Sequence, residues 1–556
     1  MLFNSLEFLV FLAVVYALYR VLPFRRQNYM LLGASYIFYG WWDWRFLFLT
    51  AFSTTIDYWV GLTMQNRLGR REKIVPAVFI TCAAILFLGM HPGAIPAAVL
   101  GEPPREAIIK PILPWVFLGI IAVLAIAAAW YRVVSTLPEH GRRKAALLTS
   151  VVCQLGLLGV FKYFNFFAET FVTGFHGLGI EIDPVLINVI LPVGISFYTF
   201  QSLSYAIDIY RGQFEPTDRF FDFALFVSYF PQMVSGPIER ARHLLPEFQK
   251  PRVITLEQSG RGLYLIMVGM FKKVAVADGV APSVNQVFGS TGLVTSADVI
   301  AGTVLFAVQI YCDFSGYTDI ARGVSKLFGI DLMLNFNLPY FAKNARDFWR
   351  RWHISLSTWL SDYLYKTLGG NRGTLAFICR NLMITMLLGG LWHGAAWNYV
   401  LWGFYHGMLL SVHRVWTYLR ERSVVGGMAP APLGAAAVQR RPHLLAGPAK
   451  IAVFFLFTLY GWLLFRATSL HQVVEFTRLI FTDFGSLDYG AAIPRLSALA
   501  GIPLLAAMEL VEYNLDDRYW YRRLPLPLLG LLAATLVFLT LMGTSNEPAQ
   551  FIYFQF

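Results

Sequence analysis

The chain has 556 residues, of which 57% are hydrophobic and 16% aromatic while only 14% are charged, with a mean hydropathy of +0.55. Soluble domains carry about 25% charged residues, so a soluble enzyme, a disordered scaffold and a nucleic-acid binder are all excluded. Apolar runs long enough to cross a bilayer recur from end to end, which predicts an all-α polytopic membrane protein, and the net charge of +12 suits basic cytoplasmic loops.

The first apolar stretch, Leu2 to Leu22, lacks a basic leader and a small-residue cleavage site and reads as a retained helix. A span needs about 20 apolar residues. Candidates lie near 4–21, 28–42, 46–65, 75–91, 111–131, 146–171, 187–208, 261–283, 298–313, 376–392, 396–413, 450–466, 495–512 and 525–543. The run 220–236 contains Pro231 and Gly236 and reads as a re-entrant or broken segment. Basic residues alternate between connections. Arg20, Arg25 and Arg26, then Arg67, Arg70, Arg71 and Lys73, then Arg132, Arg142, Arg143 and Lys144 mark the first, third and fifth. The connections at 43–45 and 92–110 are poorer in Lys and Arg, which predicts an external N-terminus and cytoplasmic 314–375 and 414–449. The segment 424–449 is rich in Ala, Pro and Gly and reads as a flexible loop. One membrane domain is expected to fill residues 1–556, with its core motifs in 190–410. Cys82, Cys153, Cys312 and Cys379 are far apart and follow no disulfide or zinc spacing. Nothing in the sequence points to a metal or to a tightly bound cofactor.

Residues 311–406 carry the chemistry-bearing side chains. Asp313 and Asp319 are expected at the end of a span, where carboxylates are functional candidates by default. The alternative is that they cap or bridge neighbouring loops through Arg322 or Lys326. Arg346, Arg350 and Arg351 cluster ahead of His353. Phe348, Trp352, Leu356 and Trp359 follow the spacing of an amphipathic helix lying at the cytoplasmic interface. That reading leaves unexplained why His353, Ser355, Ser357 and Asp362 share the same short stretch. His393 falls between two apolar spans, and an imidazole there should line a cavity or a polar network. His406 is 13 residues further on, about 20 Å along one straight helix, and reaches His393 only if that helix is broken.

The stretches FWRRWHISLSTWLSDYLYKTLGGNRG (348–373) and NLMITMLLGGLWHGAAWNYVLWGFYHG (381–407) resemble the membrane-bound O-acyltransferase family, most closely its bacterial branch of alginate and peptidoglycan O-acetyltransferases. SYIFYGWWDWRF (35–46), FKYFNFF (161–167), LPVGISFYTFQSLSYAIDIYRG (191–212), FPQMVSGPIER (230–240), YCDFSGYTDIA (311–321) and FIYFQF (551–556) extend the likeness over most of the chain. The resemblance implies a ring of about 13–15 transmembrane and re-entrant helices around a funnel or tunnel. It makes His393, within Trp392-His393-Gly394, the catalytic residue and sets His353 across the tunnel. It also implies a cytoplasmic thioester donor, acetyl-CoA in this branch, and a polysaccharide acceptor outside, such as alginate or another exopolysaccharide. A periplasmic acetyltransferase partner and the bacterial inner membrane come with it. The region 75–145, including GEPPREAIIK (101–110), and the loop 424–449 have no counterpart in that pattern.

On this reading Arg346, Arg350 and Arg351, with Lys366, receive the donor's phosphates. His393 acts as general base on a hydroxyl while His353 orients or stabilises the oxyanion, or else His393 itself accepts the acyl group. Asp313, Asp319, Trp392, Ser355 and His406 complete the candidate site, with Glu239 as a further carboxylate. A transporter or flippase of a glycan or acyl carrier is the rival from another class, and the composition alone suits it equally.

Overall fold

The computed structural model describes all residues except 92–107, 188–189, 234–235, 291–293, 426–445, 484–489, 491–492, 546–550 and 553–556. Most of the connection 92–110, most of the loop 424–449 and the last four residues of FIYFQF therefore lie outside the described residues. Among those described there is no strand, only an isolated bridge between Met90 and Ile109. Among the described residues, seven helices are long and apolar enough to cross a membrane: Leu113–Ser135, Glu139–Gly177, Ser296–Leu327, Leu375–His393, Gly447–Arg466, Leu496–Leu515 and Leu526–Gly543. The protein is a multi-pass, all-helical membrane protein.

Two compact units emerge, Met1–Leu263 with Ala321–Leu332, and Tyr264–Ile320 with Met333–Phe556. In the first, the expected spans form helices, 187–208 only from Ile195 onward; the first is Leu6–Val21, capped by Ser5 accepting from the Phe8 amide. The segment expected to be broken is so. Helix Phe220–Ser228 stops at Tyr229 and Phe230–Met233 resumes as a single turn, with all of these side chains except exposed Phe221 buried. The Phe226 carbonyl near that break accepts from the amides of Gln201 and Gln232, both at 2.6 Å. Irregular backbone at membrane depth is thus provided with donors.

In the second unit, the expected span 298–313 runs on to Leu327 as the 32-residue helix Ser296–Leu327. Asp313 and Asp319 therefore sit well inside a helix, not at the end of a span. The expected interfacial helix is corrected too. The chain forms Ala345–Arg351, turns at Trp352 and His353, and restarts as Ile354–Trp359 before a π-helical turn, Leu360–Tyr365. Phe348, Trp352 and Leu356 are each 1% exposed. Their apolar stripe is core, because it packs on rings from Trp462, Phe336 and Phe454 and has no face left for lipid.

Candidate active site

Leu375–His393 and Trp397–Val425 form a tight helical hairpin whose glycines permit backbone contact. A Cβ on Gly390 would stand 2.2 Å from the Tyr399 carbonyl oxygen, and one on Gly403 would stand 2.4 Å from that of Met386. The first helix ends on His393, and Gly394 leads into the second. This break changes the geometry expected of His406. A straight helix would hold it about 20 Å from His393, yet Trp402 touches both, with ring centroids 5.0 Å from His393 and 4.6 Å from His406.

His353 arrives from a different element. It has φ 40° and ψ 58°, a left-handed conformation that His adopts more readily than most residues. As the residue preceding Ile354–Trp359 it makes no side-chain cap. Asn335 takes that task, its carbonyl accepting from Ile354 N at 2.9 Å and its Oδ1 from Ser355 N at 3.2 Å. Ser355 is thereby fixed through its backbone. The His353 ring is left to pack, edge-on against Phe314 at 4.7 Å and 5.9 Å from Trp392. Trp392 in turn lies 5.1 Å from His393, which also packs on Phe465 at 5.3 Å. The result is a row, His353–Trp392–His393–Trp402–His406, in which tryptophans separate three buried histidines. Their exposures are 0%, 4% and 2%.

Beyond His406 the row continues through Trp349, at 5.2 Å, into the wall of a cavity of about 390 Å³. Arg346 and Arg350 line this cavity with Ser357, Asp362 and Thr385. Both arginines are exposed, and neither forms an ion pair among the described residues. Arg351 points elsewhere, bound to Asp347 at 2.8 Å and to the Asn337 carbonyl at 3.1 Å. Lys366 is exposed and paired with Asp362 at 2.6 Å. The basic cluster expected as one group is thus divided, two arginines on the cavity and two cations engaged locally.

The two aspartates have partners other than those expected. A π-helical turn, Phe271–Ala277, carries adjacent Lys272 and Lys273. Lys272 pairs with Asp319 at 2.9 Å, while Lys273 bridges Asp278 at 2.8 Å and Asp313 at 2.7 Å. Asp313 also accepts from the Ile552 amide at 2.7 Å. Arg322 donates to the Leu332 carbonyl, and Lys326 pairs with Asp331. Glu239, in the first unit, is fully buried and hydrogen-bonded to His243 Nδ1 at 2.8 Å. Asp313, Asp319 and Glu239 all serve ion pairs or hydrogen bonds of the scaffold. The residues that build the row but were not singled out from sequence are Phe314, Asn335, Trp402 and Phe465. Lys272-Lys273, two cations inside an apolar run, was a readable signal for the network.

The architecture and the buried histidine row define a multi-pass membrane protein with a sequestered imidazole centre. Residues 217–440 match the membrane-bound O-acyltransferase family, MBOAT. The chain is 36% identical to the probable alginate O-acetylase AlgI of Azotobacter vinelandii, over 93% of this chain and 86% of that protein. It is 33% identical to the peptidoglycan O-acetyltransferase of Helicobacter pylori, over 59% and 63% of the two chains. With the teichoic acid D-alanyltransferase of Bacillus subtilis it shares 31% identity over 41% and 60%. The chain belongs to the membrane-bound O-acyltransferase family and is an O-acyltransferase, which sets the transporter reading aside.

Proposed function

We propose that this protein transfers an acetyl group from a cytoplasmic thioester, acetyl-CoA, towards a hydroxyl of an extracytoplasmic polysaccharide, with a periplasmic acetyltransferase completing delivery. The observation that carries the reading is the placement of His353 and His393 on either side of Trp392, in a row that leads to a cavity rimmed by Arg346 and Arg350. Guanidinium groups suit the donor's phosphates, and the cavity's largely apolar wall suits the pantetheine arm. His393 takes the proton from the acceptor hydroxyl as its oxygen attacks the thioester carbonyl, and returns that proton to the departing thiolate. His353 stabilises the oxyanion of the tetrahedral intermediate. A variant of the same chemistry has His393 take the acyl group first and pass it on.

The names of the relatives support an envelope or extracellular polymer as acceptor, and alginate or a similar exopolysaccharide fits best. The basic loops support an external N-terminus and the bacterial relatives an inner-membrane location, with 1–556 working as one catalytic domain. The test is thiol release from acetyl-CoA by purified protein in nanodiscs, wild type beside His393→Ala. A drop of about 10²–10⁴-fold with an unchanged unfolding temperature is expected. Near-normal release from the variant would remove His393 from the mechanism. No release from folded wild type, together with no acetyl-CoA binding, would overturn the donor assignment.

A further inference from the structure

Helices Arg70–Phe87 and Leu113–Ser135 of the first unit fall mostly in the region 75–145, outside the motifs that carry the family likeness. They lie antiparallel, with Lys73 opposite Tyr131 at one end and Ile80 opposite Ile120 deeper in. Between them is a groove of about 450 Å³, a volume typical of small-molecule sites. Its walls are Ile74, Ala77, Leu124, Ala127 and Ala128, and the small alanines create the slot. Further along the pair, Ile80, Ala84 and Ile120 pack together with Phe52 and Val116.

The mouth has a different chemistry. Lys73 and Arg132 are both exposed there, and neither forms an ion pair among the described residues. Lys73 Nζ sits 4.0 Å over the Tyr131 ring. Trp59 and Trp130 flank the pair, and Trp59 Nε1 donates to the Glu72 carbonyl at 3.0 Å. Indoles and cations mark the level of lipid headgroups, and basic pockets between membrane helices at that level attract anionic ones. An apolar slot beside two cations is complementary to an acyl chain hanging from a phosphate.

We propose that this groove binds an anionic phospholipid, one acyl chain along Ala77, Ala127 and Ala128 and the headgroup phosphate between Lys73 and Arg132. A zwitterionic lipid fills the slot but gains less at the mouth, because its own cation repels the pair. The site is remote in sequence from the proposed acyl-transfer residues and stands independently of that reading.

The test uses the full chain in detergent, with binding read by native mass spectrometry and by thermal unfolding. The probes are phosphatidylglycerol, phosphatidylcholine and soluble glycerol phosphate. Phosphatidylglycerol should bind about thirtyfold more tightly than phosphatidylcholine, equivalent to about 2 kcal/mol for two cations near a membrane surface. High salt should shrink that preference, and glycerol phosphate alone should not stabilise. The double variant Lys73→Gln/Arg132→Gln, at two exposed positions, should bind both lipids alike. Ala128→Phe should lose both. Equal binding of the two lipids by wild type, a preference that survives the double variant, or stabilisation by glycerol phosphate matching the lipid's would each overturn the proposal.

Discussion

In the first unit, Asp57 is fully buried on helix Leu47–Met64 and both of its oxygens are occupied. Ser150 Oγ donates to one at 2.6 Å and Gln154 Nε2 to the other at 2.7 Å, while Ser53 ties Gln154 to Ser202. In the second unit, the buried histidines are held mainly by ring edges and faces, and Nδ1 of His406 has no hydrogen-bond partner among the described residues. The contrast is between two ways of keeping a polar group out of water. A carboxyl whose lone pairs are filled is a fastener, because its hydrogen bonds specify which three helices meet. Ring packing contributes about 0.5–1.5 kcal/mol per pair and orients an imidazole by shape, without making a nitrogen the fastening point. The Lys272–Lys273 network of the second unit belongs with Asp57, fastening by charge.

Substitutions at five positions sharpen this comparison, beginning with the network. Lys273→Met should cost about 3–5 kcal/mol, since it strands Asp313 and Asp278 as buried charges without their cation. Thermal unfolding in detergent measures it, and a loss below about 1 kcal/mol would make the bridge dispensable. The isosteric Asp313→Asn should retain acyl transfer in the protein that folds, as expected of a structural partner.

His353→Ala should lower the transfer rate about a hundredfold with little change in donor KM, if its imidazole meets the oxyanion. His353→Asn, which tolerates the left-handed backbone, should fold as wild type does and still be slow. A fully active Asn variant would show that the backbone turn, rather than the imidazole, is what matters at this position.

Asp57→Leu should destabilise by about 1–3 kcal/mol by leaving the Ser150 hydroxyl and the Gln154 amide without their acceptor. Its rate at a permissive temperature should be unchanged, in contrast to the histidine variants. A large rate loss without loss of stability would move Asp57 from the scaffold to the chemistry.

The smallest effect concerns pH. The hydrogen bond that the His243 ring donates to Glu239 raises its pKa above the ordinary 6.5, opposed by the partial burial of a half-exposed ring. A raised folded pKa gives stabilisation that is complete below about 6.5 and is lost as pH climbs through the raised value. His243→Ala should therefore flatten the decline in stability between mildly acidic and mildly basic pH, by less than about 1 kcal/mol given the exposure. An unaltered pH profile would rule the pair out as a contributor.

Much of the architecture was legible because hydrophobic spans and breaker residues are local information. The expected spans became helix, save that 187–208 is helical only from Ile195, and the break near Pro231 came where its composition places it. The Trp392-His393-Gly394 context marked one histidine, and the resemblance marked the other. Two expectations failed for a common reason. The stripe Phe348–Trp352–Leu356–Trp359 has helical spacing whether it faces lipid or core, so periodicity gave neither its burial nor the reversal at His353. Asp313 and Asp319 carry no local trace of whether a cation lies nearby, and their lysines are about 40 residues away in sequence.

The choice of His353 and His393 came from the family resemblance, while class and helix content follow from residue type and spacing along the chain. The alternation of histidine with tryptophan does not, because Trp392 and His393 come from one helix, Trp402 and His406 from its hairpin partner and His353 from a third element. Only packing brings these into one row. The hairpin closes because Gly390 and Gly403 admit backbone where a side chain would clash, and His353 turns inward because Asn335 has already capped the helix behind it.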